Sequence, residues 1–368
     1  MNLYREITLL LVGLSLLLFT GCNDKPKEDI KIGFVAGLSG KYSALGISIR
    51  DGFALAFDEI DYKINNQKVK IIQKDDKQDE KEAKKIIDSF VKSGIKLVVG
   101  NATSSMTAIS FPVVNKQEGM LLASVTASGS DFTAQDDNFI RIQVEHSAKR
   151  YKTLEKYVKN NNYKDIFFIY DSKNLKYAKG YEGFFQDIIV KNGGHKFVGK
   201  VDLNQPYEEI IKQMKSTNYD LILVVGNSVD SANIIQYLRV NKIDRKVIAS
   251  GWAKTMDFIE NGGKAVEGVM FTTGYDDNLK NKDFVDFVKK FKTKYNKTPS
   301  VFAAQGYELG QILIQNLRNS SDISTLKKRI LKIKKYDGLQ GDIIFDKYGD
   351  VFREYFIMEV RNKEYIKI

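Results

Sequence analysis

Two short polar turns hold the residues best suited to chemistry. Asn101-Ala102-Thr103-Ser104-Ser105 follows the apolar run Leu97-Val98-Val99-Gly100, and Ser124-Val125-Thr126-Ala127-Ser128-Gly129 follows Met120-Leu121-Leu122-Ala123. Both turns are rich in hydroxyls and carry no charge. Between them, Ile109, Val113 and Val114 fall on one helical face, so the first turn opens a helix. The free N–H groups of a helix start, set beside hydroxyls, suit a carboxylate or another polar group. Each turn also leaves the carboxyl end of an apolar strand, where open α/β sheets place their ligands. Helix capping uses the same residue types, so Ser104 and Ser128 can be caps as well as contacts.

The rest of the chain offers little for covalent or metal chemistry. Cys22 is the single cysteine, and His146 and His195 are the two histidines, far apart and without cysteine or acid partners at ligand spacing. A zinc site or a histidine-dependent triad has too few parts. The Gly37-Leu38-Ser39-Gly40-Lys41 turn lacks the first glycine of a phosphate loop, with Val35 in its place, and Tyr42 replaces the Ser or Thr after the lysine. Asp75-Asp76 ends a strand within a charged run and reads as a surface turn. No catalytic residue, metal or cofactor is expected.

The chain has 368 residues, 43% of them hydrophobic and 28% charged, which is ordinary for globular domains, and the length allows two or three of them. Lys and Arg number 57 against 46 acids, giving a net charge of +11. The lysines are scattered through helix after helix, whereas nucleic-acid binding focuses basic residues and aromatics on one face. No nucleic-acid partner is expected.

The amino terminus assigns the compartment. Arg5 precedes an apolar run over residues 7–19, too short to span a membrane as a helix, and Leu18-Phe19-Thr20-Gly21-Cys22 closes it. Residues 1–21 read as a secretory signal whose end looks like a bacterial lipobox, with Cys22 as the lipid-bearing first residue after cleavage. Residues 22–29 are polar, contain Pro26, and read as a tether. The protein is expected outside the cytoplasm, held to a membrane by its lipid.

From residue 30 the pattern alternates strand and helix in two blocks. Strands fall near 31–35, 69–72, 97–100, 120–123 and 139–142, then near 166–170, 196–201, 221–225 and 247–249. Right-handed helical crossovers between parallel strands connect such an order economically. Long helices near 284–295 and 302–317 follow, and short extended runs end the chain.

Several pieces, in order, resemble the branched-chain amino-acid type of periplasmic solute-binding proteins that serve ABC importers. They are IKIGFVAGLSGKYSALG at the start, KDDKQDEKEA after the second strand, GNATSSMT, SVTASGSDFT, YAKGY at 177–181, GW at 251–252, and YDGLQGDIIFDKYGD at 336–350. The resemblance covers residues 30–368. It implies a two-lobed α/β fold, a type I periplasmic-binding-protein-like architecture in which each lobe is a parallel-rich sheet flanked by helices. Three hinge crossings, near 143–145, 271–275 and 348–351, would divide it into residues 30–143 with 275–348 and residues 144–272 with 350–368. It also implies a small-molecule solute in the cleft, delivery to permease and ATPase subunits, no enzymatic activity, and action as a monomer. A ligand-sensing receptor subunit with the same fold is the alternative.

Carried over by position, the resemblance gives Ser104, with Ser105 beside it, to the ligand's carboxylate or amine. It gives Thr126 a backbone role and Ser128 a hydroxyl role. Tyr177 would be the aromatic that closes over the solute, Trp252 a cleft aromatic, and Leu45 the first-lobe cleft edge. Asn227 and Ser228 could add amide and hydroxyl contacts. One departure stands out. Amino-acid binders often place an acid before the glycine of the second-lobe loop, whereas this chain has Ser250 before Gly251. An unpaired, desolvated ammonium is costly, so Asp171, Asp230 or Glu308 would have to serve, or the solute lacks an ammonium.

Overall fold

The computed structural model describes residues 28–191 and 197–368. Cys22, the signal segment, most of the tether and His195 lie outside the described residues. Two sheets dominate. The first has six strands in the order β2-β3-β1-β4-β5-β6, namely β1 (Ile30–Ala36), β2 (Lys63–Ile64), β3 (Gln67–Asp75), β4 (Leu97–Gly100), β5 (Leu121–Ser124) and β6 (Phe139–Arg141). All its pairings are parallel except the β2–β3 hairpin. The sheet is buried on both faces, which is why its central strands are continuous apolar runs. Val99 and Leu121 point to one core, while Val98 and Leu122 point to the other.

The second sheet has seven strands in the order β16-β15-β11-β10-β9-β7-β8. These are β7 (Ile166–Tyr170), β8 (Gly199–Asp202), β9 (Leu221–Val225), β10 (Lys246–Ala249), β11 (Met270–Thr273), β15 (Phe356–Arg361) and β16 (Glu364–Lys367). Strands β7 to β11 are parallel, and β15 and β16 close the edge antiparallel. A third, antiparallel sheet joins β12 (Lys335–Gly338), β13 (Gly341–Phe345) and β14 (Val351–Phe352).

Helices cover both main sheets, and local sequence explains their starts. Helix α1 (Ser43–Asp58) follows the first strand. Helix α2 (Glu80–Lys92) begins after Asp79, whose carboxylate accepts from the Glu82 N–H at 2.9 Å, and it buries Ala83, Ile86, Ile87 and Phe90. Helix α3 (Ser104–Asn115) begins after Thr103, whose hydroxyl caps the Met106 N–H. The second lobe contributes α4 (Ala148–Asn160), α5 (Leu175–Lys191), α6 (Tyr207–Lys215), α7 (Ser228–Val240) and α8 (Met256–Gly262). Helices α9 (Lys282–Tyr295), α10 (Val301–Asn319) and α11 (Leu326–Ile333) return to the first lobe. There α10 packs tightly on α1. A Cβ at Gly52 would lie 1.8 Å from the Ala303 carbonyl oxygen, and one at Gly306 would lie 2.4 Å from that of Ile49. Only glycine permits this approach, which fastens the late segment to the first sheet.

Val351 and Phe352 of β14 pair with Phe345 and Ile344 of β13, and residues 353–355 connect them to β15.

Candidate functional site

In the first sheet, β1 lies between β3 and β4, so successive connections leave it in opposite directions; the same reversal occurs at β7 and β9 in the second sheet. Strand ends diverge at such points and leave a crevice. The turns after β1, β4 and β5 face those after β7 and β10 across it. Between them lies a small cavity. Leu45, Thr103, Ser104, Thr126, Gln143 and Phe302 line it from the first lobe and the first crossing, and Asn174, Tyr177 and Trp252 from the second lobe. None of these nine side chains is charged.

Ser104 is the first helical residue of α3, and its Oγ accepts from the backbone N–H of Ser128 and of Gly129, both at 3.2 Å. Its own hydroxyl hydrogen is therefore available to a solute oxygen. Thr126 donates to the Ala102 carbonyl at 2.5 Å, which pins one polar turn to the other and leaves its oxygen as an acceptor. Arg141 holds this wall from behind. Its guanidinium donates to Asp350 at 2.7 Å, to the Gly129 carbonyl at 3.0 Å and to the Thr133 hydroxyl at 2.7 Å. The Arg141–Asp350 pair is buried and fully engaged, so its geometry offsets the desolvation of both charges.

On the opposite wall, Tyr177 meets Trp252 edge-on at 6.0 Å between ring centroids. Burial, then neighbouring Tyr181, pushes the Tyr177 hydroxyl well above its ordinary pKa, so it stays a neutral donor. Asn174 accepts from the Ser105 N–H at 3.2 Å through Oδ1, which leaves its amide hydrogens for donation. Behind Tyr177 sits His146, half-buried, with Nε2 at 3.3 Å from the Ser128 Oγ and Nδ1 at 2.5 Å from the Tyr151 hydroxyl. Burial, followed by the charges of Arg150 and Arg141, holds this imidazole well below its ordinary pKa and keeps it neutral.

The lobes touch around the cavity. Lys41 pairs with Asp230 at 2.7 Å, and Gln78 donates to the Lys173 carbonyl at 2.9 Å. The Lys176 N–H donates to Ser105 Oγ at 3.2 Å, and Lys176 also pairs with Asp131. Ser105 is thus an interlobe contact outside the cavity lining. Asn227 caps α7 by accepting from the Asp230 N–H at 3.0 Å, and it donates to the Asp230 carboxylate at 2.8 Å. It orients the acid of the Lys41 pair. Ser128 is buried with its hydroxyl toward His146. Of the residues named from sequence, the cavity gathers Ser104, Thr126, Tyr177, Trp252 and Leu45. Thr103, Gln143, Asn174 and Phe302 complete it. Thr103 lay in the first hydroxyl turn, and Gln143 stood at the first crossing; Asn174 and Phe302 had no sequence signal.

No acid takes the missing place. The Ser250 hydroxyl is buried without a hydrogen-bond partner. Asp171 accepts from the Lys173 N–H, the Asn204 amide and the Tyr42 hydroxyl, and does not line the cavity. Asp230 pairs with Lys41, and Glu308 pairs with Arg353 at 2.6 Å. Among the described residues no cluster of His, Cys, Asp and Glu could hold a metal ion, and no helix is long and apolar enough to cross a membrane.

A family model for periplasmic binding proteins matches residues 29–364. The chain belongs to the periplasmic binding protein family. Its curated relatives are of the branched-chain amino-acid type. The Leu/Ile/Val-binding protein of Escherichia coli K12 is 25% identical over 331 residues, covering 88% of each chain. A Leu/Ile/Val-binding protein homolog of Brucella melitensis is 23% identical over 333 residues, covering 88% of this chain and 89% of the other. Among solved structures, a leucine-binding protein from Thermotoga maritima superposes with a TM-score of 0.83 at 23% identity, over 92% of this chain and 97% of that one. A solute-binding protein of an ABC transporter from R. palustris, in complex with benzoate, gives 0.83 at 16% identity, over 92% and 95%. The shared fold is the two-lobed α/β architecture expected from sequence. These relatives are binding proteins rather than enzymes, and periplasmic binding proteins work outside the cytoplasm.

Proposed function

We propose that this periplasmic binding protein captures a small polar solute between its lobes and delivers it to the permease of an ABC importer, while a lipid on Cys22 holds it to the membrane. The supporting observation is the cavity lined from both lobes, with hydroxyl and amide groups on one side and aromatic rings on the other. A solute touching both walls favours the closed arrangement by its differential affinity for it. In this reading Ser104, Thr126, Tyr177 and Trp252 contact the solute, Ser105 and Asn227 hold the lobes together around it, and Ser128 works through its contact with His146. Residues 30–352 without 144–273 form one lobe, and residues 144–273 with 356–368 the other. Relatives whose names specify leucine, isoleucine, valine or benzoate support an amino acid or a related carboxylate or amide.

The test is a thermal-shift and calorimetric screen of amino acids, carboxylates and amides. A true solute raises the unfolding temperature in step with RT ln(1 + [L]/Kd). If no small solute shifts unfolding, and membrane vesicles carrying the importer take none up, the reading fails.

A further inference from the structure

Arg150 is a buried cation without an anion. Only 2% of its surface is exposed. One terminal nitrogen donates to the Val144 carbonyl at 2.7 Å, and the guanidinium lies over the rings of Tyr151 and Tyr355 at 5.2 and 5.1 Å. Its Nε has no hydrogen-bond partner. Among the described residues no carboxylate pairs with it. The other two buried arginines, Arg141 and Arg353, are neutralised by Asp350 and Glu308. Val144 is on the first interlobe crossing and Tyr355 on the third, so Arg150 sits in the hinge behind the cavity. The Tyr355 hydroxyl donates to Gln143 Oε1 at 2.9 Å, and Gln143 lines the cavity beside Tyr177. A buried cation without an ion-pair partner therefore stands behind this wall, in a region where water screens little.

The lining has the same bias. Ser104, Asn174 and Tyr177 offer hydrogens, while no carboxylate lines the cavity to receive an ammonium. The Ser250 hydroxyl is neutral where an acid would be needed. A solute ammonium would be desolvated without a counter-charge and repelled by Arg150. A carboxylate would meet donors in front and a cation behind.

Granting that this cleft is the solute site, we propose that it selects a monocarboxylate lacking an ammonium group, with Arg150 as the specificity-determining residue acting through Tyr355, Gln143 and Tyr177. Amino acids would then be poor solutes. The experiment uses two matched series titrated by calorimetry into the purified protein. One is 4-methylpentanoate, leucine and 4-methylpentanamide; the other is phenylacetate, phenylglycine and phenylacetamide. In at least one series the carboxylate binds about tenfold or more tightly than both companions. Arg150→Met lowers carboxylate affinity about tenfold and leaves amide affinity nearly unchanged, while Arg150→Lys keeps most of the preference. A purely structural Arg150 would shift all three ligands together, which overturns the role given to it. Tighter binding of the α-amino acid overturns the selectivity while leaving the solute-binding reading intact, and this comparison needs no variant. Failure of all six compounds, alongside binding of a different solute class found by the wider screen, also overturns it.

Discussion

Tyr42 of the first lobe lies flat against Trp252 of the second, with ring centroids 6.1 Å apart and planes inclined by 13°. Trp252 lines the cavity, whereas Tyr42 stands outside it and donates to Asp171 at 3.3 Å. The pair therefore joins the lobes beside the cavity without Tyr42 lining it. A stacked pair contributes about 0.5–1.5 kcal/mol beyond its buried area. Tyr42→Ala should weaken solute binding by about two- to tenfold through lost closure, and Tyr42→Phe, which keeps the ring, by less. Calorimetry gives the affinities, and small-angle scattering with saturating solute reads the closure. Equal affinities for Tyr42→Ala and the parent protein would remove Tyr42 from the mechanism.

Ser104 and Ser128 separate two kinds of contribution. Ser104 Oγ satisfies two buried amides, so Ser104→Ala leaves both without an acceptor and should cost about 1–3 kcal/mol of stability. It also removes a cavity-lining donor. The Ser128 hydroxyl faces His146, so Ser128→Ala should reduce solute affinity less than Ser104→Ala does. Urea unfolding and solute titration on the same samples rank the two. The reverse order of affinity would place Ser128, rather than Ser104, against the solute.

The hydroxyl turns and the two α/β blocks were legible because they follow local rules, namely apolar runs, helical spacing and cap residues. Four of the cavity's nine side chains, Ser104, Thr126, Tyr177 and Trp252, were named as contacts and Leu45 as the cleft edge. What stayed hidden depends on contacts between distant segments. Asn174 reads as a surface polar residue in Ser172-Lys173-Asn174 until Ser105, 69 positions away, donates to it. Arg150 sits between Lys149 and Lys152 on an amphipathic helix and reads as solvated. It is buried because the two crossings at Val144 and Tyr355 converge on it. Charge periodicity cannot register a hinge made from three separate chain passages.

The membrane anchor has a direct test. If Cys22 carries a diacylglycerol group, its acyl chains contribute about 0.8 kcal/mol per buried methylene to membrane binding. Cys22→Ser should then move the protein from the membrane to the soluble extracytoplasmic fraction, with solute affinity unchanged. Fractionation and mass spectrometry of the amino-terminal peptide check this. A Cys22→Ser protein that remains in the membrane fraction contradicts lipid attachment there.

His146 makes stability depend on pH with a definite sign. Its folded pKa lies well below the ordinary value because burial disfavours the cation, with Arg150 and Arg141 adding repulsion. In the unfolded chain the imidazole titrates near about 6.5. Below that pH the unfolded state holds one more proton than the folded state, until the folded imidazole titrates in turn. Stability from this group is therefore complete above about pH 6.5 and is lost as pH falls, by up to about 1.4 kcal/mol per unit. His146→Gln removes the ionisation while keeping hydrogen-bonding groups near Ser128 and Tyr151. Urea unfolding between about pH 7.5 and 5 should show a steeper decline for the parent protein than for His146→Gln, the carboxylates and His195 being common to both. Identical slopes would mean that His146 gains a proton in the folded state as readily as in the unfolded one, and the neutral imidazole assigned to the wall behind Tyr177 would have to be given up.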